Sequence, residues 1–131
     1  MARILIVDDS PTEMSKMAKM LEKSGHEVLQ ATNGADGVAL ARQEKPDAVL
    51  MDIVMPGLNG FQATRQLMKD PETSAIPVIV VTTKDQETDR VWAKRQGAVD
   101  YITKPVDEVL LFQTLKKALA TKPASPRQPD A

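Results

Sequence analysis

Cysteine is absent from the 131 residues of this chain. The fold can therefore contain no disulfide, and no thiolate is available to bind a metal ion. Long apolar runs are absent as well, since the longest are of strand length and fall far below the roughly 18 residues that suggest a membrane-spanning helix. The first acid, Asp8, comes too early for the apolar stretch of a signal peptide. Together these absences lead us to expect a cytoplasmic protein without membrane insertion.

An excess of charge of one sign is missing too. Lysine and arginine together number 17, against 18 aspartates and glutamates. This near-neutral balance argues against nucleic acid or an anionic membrane surface as the principal partner. The length suffices for one domain with a sizeable core and is too short for two domains of ordinary size. We therefore expect one folded unit.

Five apolar segments of strand length alternate with segments of helical periodicity. The apolar segments are residues 4–7, 27–31, 48–51, 78–81 and 101–102. The start of the first helix is well marked, because Ser10 and Glu13 form an S-x-x-E capping box with Pro11 at the first helical position. The alternation βαβαβαβαβα predicts an α/β domain, a doubly wound parallel sheet of five strands covered on both faces.

The later helices and the C-terminal segment define the limits of the predicted domain. The third helix carries Phe61 and Leu67 on one side, and the fourth has Val91 and Trp92 as its large apolar residues, so both are expected to be amphipathic. The fifth helix should run from about residue 107 to residue 120. Residues 121–131 contain three prolines and no large apolar side chain, which is typical of a disordered tail. The predicted domain is therefore 1–120 and the tail 121–131.

Polar residues follow the strands at their carboxyl ends, which is where ligands bind in open α/β sheets. Asp8 and Asp9 follow the first strand, Asp52 the third, Thr82 the fourth and Lys104 the fifth. The second strand ends in "ATNG" and carries no charge there. A place for that strand at the edge of the sheet, in the order 2-1-3-4-5, would explain why.

The combination of acids, a hydroxyl and an ammonium favours one kind of site. Three carboxylates suit a hard cation such as Mg²⁺, which would neutralise the adjacent charges of Asp8 and Asp9. Lys104 and Thr82, on the opposite rim, are donors for a phosphoryl group. Asp52 lies on the central strand and is best placed as a nucleophile that forms an aspartyl phosphate.

These residues resemble those of the response-regulator receiver domains, the family of the chemotaxis protein CheY. The resemblance covers about residues 2 to 120 and rests on "VDDSP", "LMDIVMPGLNG", "VTT" and "YITKP", in this order. The longer segments "DIVMPGLNGFQATRQL" and "TTKDQETDRVWAKRQGA" look like a stand-alone receiver of the chemotaxis-like system that governs type IV pili and twitching motility. The resemblance implies a (βα)5 flavodoxin-like fold with strand order 2-1-3-4-5.

The resemblance also implies roles for the acidic residues. Asp52 would accept a phosphoryl group from a phosphohistidine on a separate histidine kinase. Asp9 and Asp52 would bind Mg²⁺ directly, together with the backbone carbonyl of Val54. Asp8 would assist directly or through a water molecule.

Further roles fall on the other rim of the site. Thr82 and Lys104 would contact phosphoryl oxygens, and the peptide bond between Lys104 and Pro105 would be cis. Tyr101 matches the aromatic switch residue of the family, which turns inward as the threonine moves toward the phosphate. Switching would remodel the face formed by the fourth helix, the fifth strand and the fifth helix, where a downstream protein would bind.

The resemblance leaves two forms of output open, a protein contact or simple competition for phosphoryl groups as a phosphate sink. We expect a monomer with no enzymatic activity beyond its own phosphorylation and dephosphorylation. The closest alternative is a receiver-like docking module that never receives phosphate. A flavin-binding protein would need a phosphate cradle where the chain is acidic, and an aspartyl-phosphatase would need a carboxylate where Val54 stands.

Overall fold

The computed structural model describes residues 2–121, in which five strands alternate with five helices. In chain order the elements are β1 (Arg3–Val7), α1 (Pro11–Lys23), β2 (Glu27–Ala31), α2 (Gly34–Glu44), β3 (Ala48–Met51), α3 (Gly60–Lys69), β4 (Val78–Thr82), α4 (Glu87–Gln96), β5 (Asp100–Thr103) and α5 (Glu108–Thr121). The predicted alternation is confirmed. The predicted disordered tail lies, beyond Thr121, outside the described residues.

The five strands form one parallel sheet in the order β2-β1-β3-β4-β5. In register, Ile4 of β1 pairs with Val28 on one side and with Ala48 on the other. The predicted α/β class, doubly wound topology and strand order are therefore confirmed. Because the strand order reverses between β1 and β3, a crevice lies beyond the carboxyl ends of these two strands.

Each face of the sheet is covered by helices, because alternate strand residues point to opposite faces. Ile4 and Ile6 of β1 pack in one apolar cluster with the buried sides of α1 and α5. Leu5 and Val7 pack in a second cluster with α2 and α3. After Arg3, the strand therefore consists of branched apolar residues, as expected for a strand buried on both faces.

The start of α1 differs in one detail from the sequence pattern. Ser10 is the N-cap, and its Oγ accepts a hydrogen bond of 3.3 Å from the backbone N–H of Glu13. The return bond of a capping box is absent from this pair, because the Ser10 N–H donates instead to Asp8 Oδ1 at 2.9 Å. The full capping box in the described residues belongs to Asn59 and Gln62 at α3.

The fourth helix, α4, is less firmly anchored than its sequence suggested. Its buried residue is Ala93, whereas Val91 and Trp92 are 43% and 47% exposed. No side chain caps its N-terminus. The amphipathic interpretation is wrong for this helix, because a small alanine makes its apolar contact with the sheet.

Among the described helices, none combines the length and apolar character needed to span a bilayer.

Candidate functional site

The carboxyl ends of four strands bring the predicted site residues together. Asp8 follows β1, Asp52 follows β3, Thr82 ends β4 and Lys104 follows β5. The N–H of Asp52 donates to the carbonyl of Val7 at 3.0 Å, which continues the ladder between β1 and β3 beyond the last paired residues. This bond holds the Asp52 backbone in line with the sheet and directs its side chain into the crevice shared with Asp8.

Lys104 lies between two carboxylates. Its Nζ is 2.7 Å from Asp8 Oδ2 and 3.3 Å from Asp52 Oδ2, and the side chains of Lys104, Asp8 and Asp52 are 6%, 0% and 9% exposed. Buried charges are costly unless they are paired, so each charge in this cluster depends on its neighbours. Burial lowers the pKa of Lys104, but the hydrogen bond to Asp8 and the charge of Asp52 outweigh it, and the pKa is raised overall.

This cluster corrects the explanation that the sequence suggested for the acidic pair. That explanation required a metal ion to neutralise Asp8 and Asp9, and it placed Lys104 on the opposite rim of the site. In the structure the ammonium of Lys104 bonds directly to Asp8 and already offsets one buried carboxylate. A metal ion is therefore not the sole source of compensating charge.

The three acids nevertheless fit a hard cation. One carboxylate oxygen from each of Asp8, Asp9 and Asp52 can be chosen so that all lie within 4.8 Å of one another. Asp9 is exposed, so a cation held here would keep access to water. Carboxylate oxygens and retained water molecules are what Mg²⁺ prefers in proteins. The residues present therefore suit Mg²⁺ better than a soft metal.

Val54 contributes to the site through its backbone. Its N–H donates to Asp52 Oδ1 at 3.3 Å, while its side chain is 55% exposed. One oxygen of the Asp52 carboxylate thus faces the Val54 backbone and the other faces Lys104. These two contacts fix the orientation of the predicted acceptor.

Thr82 and Tyr101 are linked through one loop residue. Thr82 is fully buried, and its Oγ1 accepts a 3.4 Å hydrogen bond from the backbone N–H of Lys84. The hydroxyl of Tyr101 donates to the carbonyl of the same Lys84 at 2.7 Å. Tyr101 is buried, at 7% exposed, so the structure places it in the inward position. The Lys104–Pro105 peptide bond is cis, as the resemblance implied.

Arg90 was not predicted from the sequence as a site residue, but the structure places it beside Tyr101. The guanidinium carbon of Arg90 lies 4.8 Å from the centre of the Tyr101 ring. Burial and the nearby charge of Asp89 raise the pKa of Tyr101 to about 12, against the opposing effect of Arg90. No pattern separates Arg90 from the other cations of α4, because the contact depends on how the helix docks.

Known proteins are similar to this chain in sequence. The model of the response regulator receiver domain family matches residues 4–116. Protein PilH of Pseudomonas aeruginosa is 79% identical over 120 residues, which cover 92% of this chain and 99% of that protein. Response regulator PleD of Caulobacter vibrioides is 39% identical over 115 residues, which cover 88% of this chain and 25% of PleD.

Solved structures give the same result at lower sequence identity. The chemotaxis protein CheY4 of Vibrio cholerae is similar with a TM-score of 0.85 and 27% identity, over 90% of this chain and 98% of that chain. The receiver domain of a Pseudomonas aeruginosa sensor histidine kinase, solved with a magnesium ion coordinated in its active-site cleft, has a TM-score of 0.86 and 29% identity. That match covers 92% of this chain and 98% of the other.

Proposed function

Because the chain belongs to the family of response regulator receiver domains, we propose that it accepts a phosphoryl group on Asp52 in two-component signalling. One observation carries this proposal. Asp52 extends the central strand of the sheet, with the Lys104 ammonium 3.3 Å from one carboxylate oxygen and the acids Asp8 and Asp9 beside it. A nucleophile next to a cation and a set of metal ligands is the arrangement that phosphoryl transfer requires.

The donor in this proposal is a phosphohistidine on a separate histidine kinase. A carboxylate oxygen of Asp52 bonds to phosphorus, the phosphorus–nitrogen bond breaks, and its electron pair returns to the imidazole. Lys104 would pair with a phosphoryl oxygen and offset its charge. Thr82 would give up the N–H of Lys84 and donate its hydroxyl to another phosphoryl oxygen.

Mg²⁺ is the proposed cofactor. Asp9 and Asp52 would bind it directly with the backbone carbonyl of Val54, and Asp8 would bind it directly or through water. When bound, the ion supplies positive charge that stabilises the transferring phosphoryl group. The related histidine-kinase receiver domain that was solved with a coordinated magnesium ion supports this assignment.

The proposed output is a contact with another protein or the removal of phosphoryl groups from a shared kinase. Thr82 and Tyr101 would act as the switch, and the face formed by α4, β5 and α5 would bind the target. The chain would act as a stand-alone receiver over residues 1–120, monomeric and cytoplasmic, without a separate enzymatic output. The 79% identity to PilH over 99% of that protein supports this organisation. The segments that resemble a receiver of the type IV pilus system favour a role in twitching motility.

Acetyl phosphate with Mg²⁺ tests the proposal, because it requires no kinase. Intact-mass spectrometry should show one phosphoryl group on the parent and none on Asp52→Ala. Asp85→Ala is the control, since Asp85 is an exposed carboxylate in the loop before α4, and it should be labelled as the parent is. Persistent labelling of Asp52→Ala would refute the assignment. A parent that accepts no phosphoryl group from acetyl phosphate or from purified histidine kinases would favour the docking-module alternative.

A further inference from the structure

Arg90 ties α4 to two residues of β5. Its guanidinium carbon lies 4.8 Å from the centre of the Tyr101 ring, and its Nη2 donates to Thr103 Oγ1 at 3.0 Å. A planar guanidinium can stack on a ring and donate hydrogen bonds from its edge at the same time. Arg90, on α4, therefore holds the Tyr101 ring in place between α4 and β5.

The opposite end of the Tyr101 side chain is held by the loop after β4. The Tyr101 hydroxyl donates to the carbonyl of Lys84, whose N–H donates to the hydroxyl of Thr82. Thr103, the other partner of Arg90, directly precedes Lys104 in the chain. Arg90 is thus connected to Thr82 through Tyr101 and Lys84. It is connected to Lys104 through the neighbouring Thr103.

The weak anchoring of α4 makes these contacts important. Ala93 is the buried residue of the helix, and no side chain caps its N-terminus. Its large apolar residues Val91 and Trp92 lie 43% and 47% exposed and contribute little to docking. Loss of Arg90 would therefore remove a principal tie between α4 and β5.

We propose that Arg90 is a positioning residue that keeps Tyr101 in its inward position and thereby raises the affinity of the site for a phosphoryl group. The first part rests on geometry alone, and the second rests on the proposed function of Asp52. If a bound phosphoryl group selects inward Tyr101, then a residue that favours this position must favour phosphoryl binding by the same coupling. A population of outward Tyr101 would lower the apparent affinity.

Titration of Tyr101 tests the first part, because it is the only tyrosine of the chain and its ionisation can be followed by ultraviolet absorbance. The charged groups that act on it are Asp89 and Arg90 on α4, Asp85 in the preceding loop and Asp52 across the crevice. In Arg90→Ala, release of the ring should lower its pKa from about 12 toward the ordinary value near 10. If Arg90 acted by charge alone, its removal would raise the pKa instead. A raised or unchanged pKa would overturn the proposal.

Arg95→Ala is the matched control, because it removes the same side chain from the same helix. The guanidinium of Arg95 lies 6.0 Å from the ring of Trp92, away from Tyr101. Its removal should leave the Tyr101 titration unchanged. Arg90→Lys keeps the charge without the planar fork, so its Tyr101 pKa should fall between those of the parent and Arg90→Ala.

Nitration by tetranitromethane at mildly alkaline pH gives a second measurement on folded protein, should the variant unfold at higher pH. Tyr101 should be nitrated severalfold faster in Arg90→Ala than in the parent and in Arg95→Ala. Equal or slower nitration would contradict release of the ring.

Binding of beryllofluoride with Mg²⁺, measured by calorimetry at neutral pH, tests the second part. Arg90→Ala should bind about three- to tenfold more weakly than the parent, as loss of one cation–π contact and one hydrogen bond implies. Arg95→Ala should bind as the parent does. If Tyr101 is released and affinity stays unchanged, the coupling is refuted. If the parent itself does not bind, the proposed function fails, while the tyrosine titration still decides whether Arg90 positions Tyr101.

Discussion

The ammonium of Lys104 lies 2.7 Å from Oδ2 of Asp8, and both side chains are buried. Asp52 is the third member of this cluster, 3.3 Å from the same ammonium. The protein thus supplies its own counterion for the acids that follow β1 and β3. Because Lys104 is proposed to contact the phosphoryl group as well, one side chain links the stability of the site to its chemistry.

Lys104→Ala should destabilise the fold when divalent cations are removed. It leaves Asp8 and Asp52 buried without their cation, and breaking a buried pair typically costs about 3 kcal/mol or more. The free energy of unfolding, measured by urea denaturation in EDTA at neutral pH, should fall by roughly this amount. Excess Mg²⁺ should restore much of the loss, because the ion offsets the same two carboxylates.

The control for this measurement is Lys16→Ala, since Lys16 is an exposed lysine on α1. It should change the free energy of unfolding by no more than about 0.5 kcal/mol, as is usual for surface substitutions. If Lys104→Ala is as stable as Lys16→Ala in EDTA, the cluster does not need its ammonium.

Asp52→Asn should respond to Mg²⁺ less than the parent does. In EDTA the variant should melt at or slightly above the parent, because it removes like-charge repulsion and leaves Asp8 paired with Lys104. Excess Mg²⁺ should then stabilise the parent by RT ln(1 + [Mg²⁺]/Kd), about 2.7 kcal/mol at one hundred times Kd. Melting curves of both proteins, with EDTA and with Mg²⁺, provide the test. Equal shifts would mean that Asp52 shares no metal site with Asp8 and Asp9.

The fold was largely predictable because strand and helix patterns are local. The limits expected for β2 and β3 agree with those observed, at 27–31 and 48–51. β4 and β5 each extend through a threonine that was expected to follow the strand. Thr82 and Thr103 pair with each other in the sheet. This pairing extends both strands, and it cannot be predicted from a polar residue at the end of an apolar segment.

The site was predictable only as a set of residues. Parallel strands place their carboxyl ends together, so Asp8, Asp52 and Lys104 could be assigned to one crevice. The direct bond between Lys104 and Asp8 joins residues 96 positions apart and depends on the path of the loop after β5. The contact of Arg90 with Tyr101 depends on how α4 packs on the sheet. That packing is hard to predict from the sequence, because α4 has few buried apolar residues to define its inner face.

Gly60→Ala should displace the acceptor. A Cβ at Gly60 would overlap the backbone carbonyl oxygen of Asp52 and lie 2.7 Å from Cα of Ile53. The backbone that carries Asp52 would have to shift, at a cost of about 1–3 kcal/mol in unfolding free energy. Labelling of Asp52 by acetyl phosphate, followed by mass spectrometry, should become slower. Gln66→Ala, at an exposed position of the same helix, should label at the parent rate, and an equal rate for Gly60→Ala would show that the acceptor has not moved.

Alkaline pH should weaken the fold through Tyr101. Its folded pKa is about 12, against about 10 for an exposed tyrosine. Between these values the folded state binds more protons than the unfolded state, so stability falls as pH rises. The contribution is complete below pH 10 and lost above pH 12, with a size of about 2–3 kcal/mol.

The raised pKa of Lys104 adds a loss of the same sign at alkaline pH, so the comparison needs a variant that keeps Lys104. Tyr101→Phe does so and cannot ionise at this position. Urea denaturation just below and well above pH 10 should therefore show a larger loss of unfolding free energy in the parent than in Tyr101→Phe. Equal losses of unfolding free energy in the two proteins would mean that the Tyr101 phenol is solvated in the folded state. A larger loss in the parent requires that folding makes ionisation of this phenol less favourable.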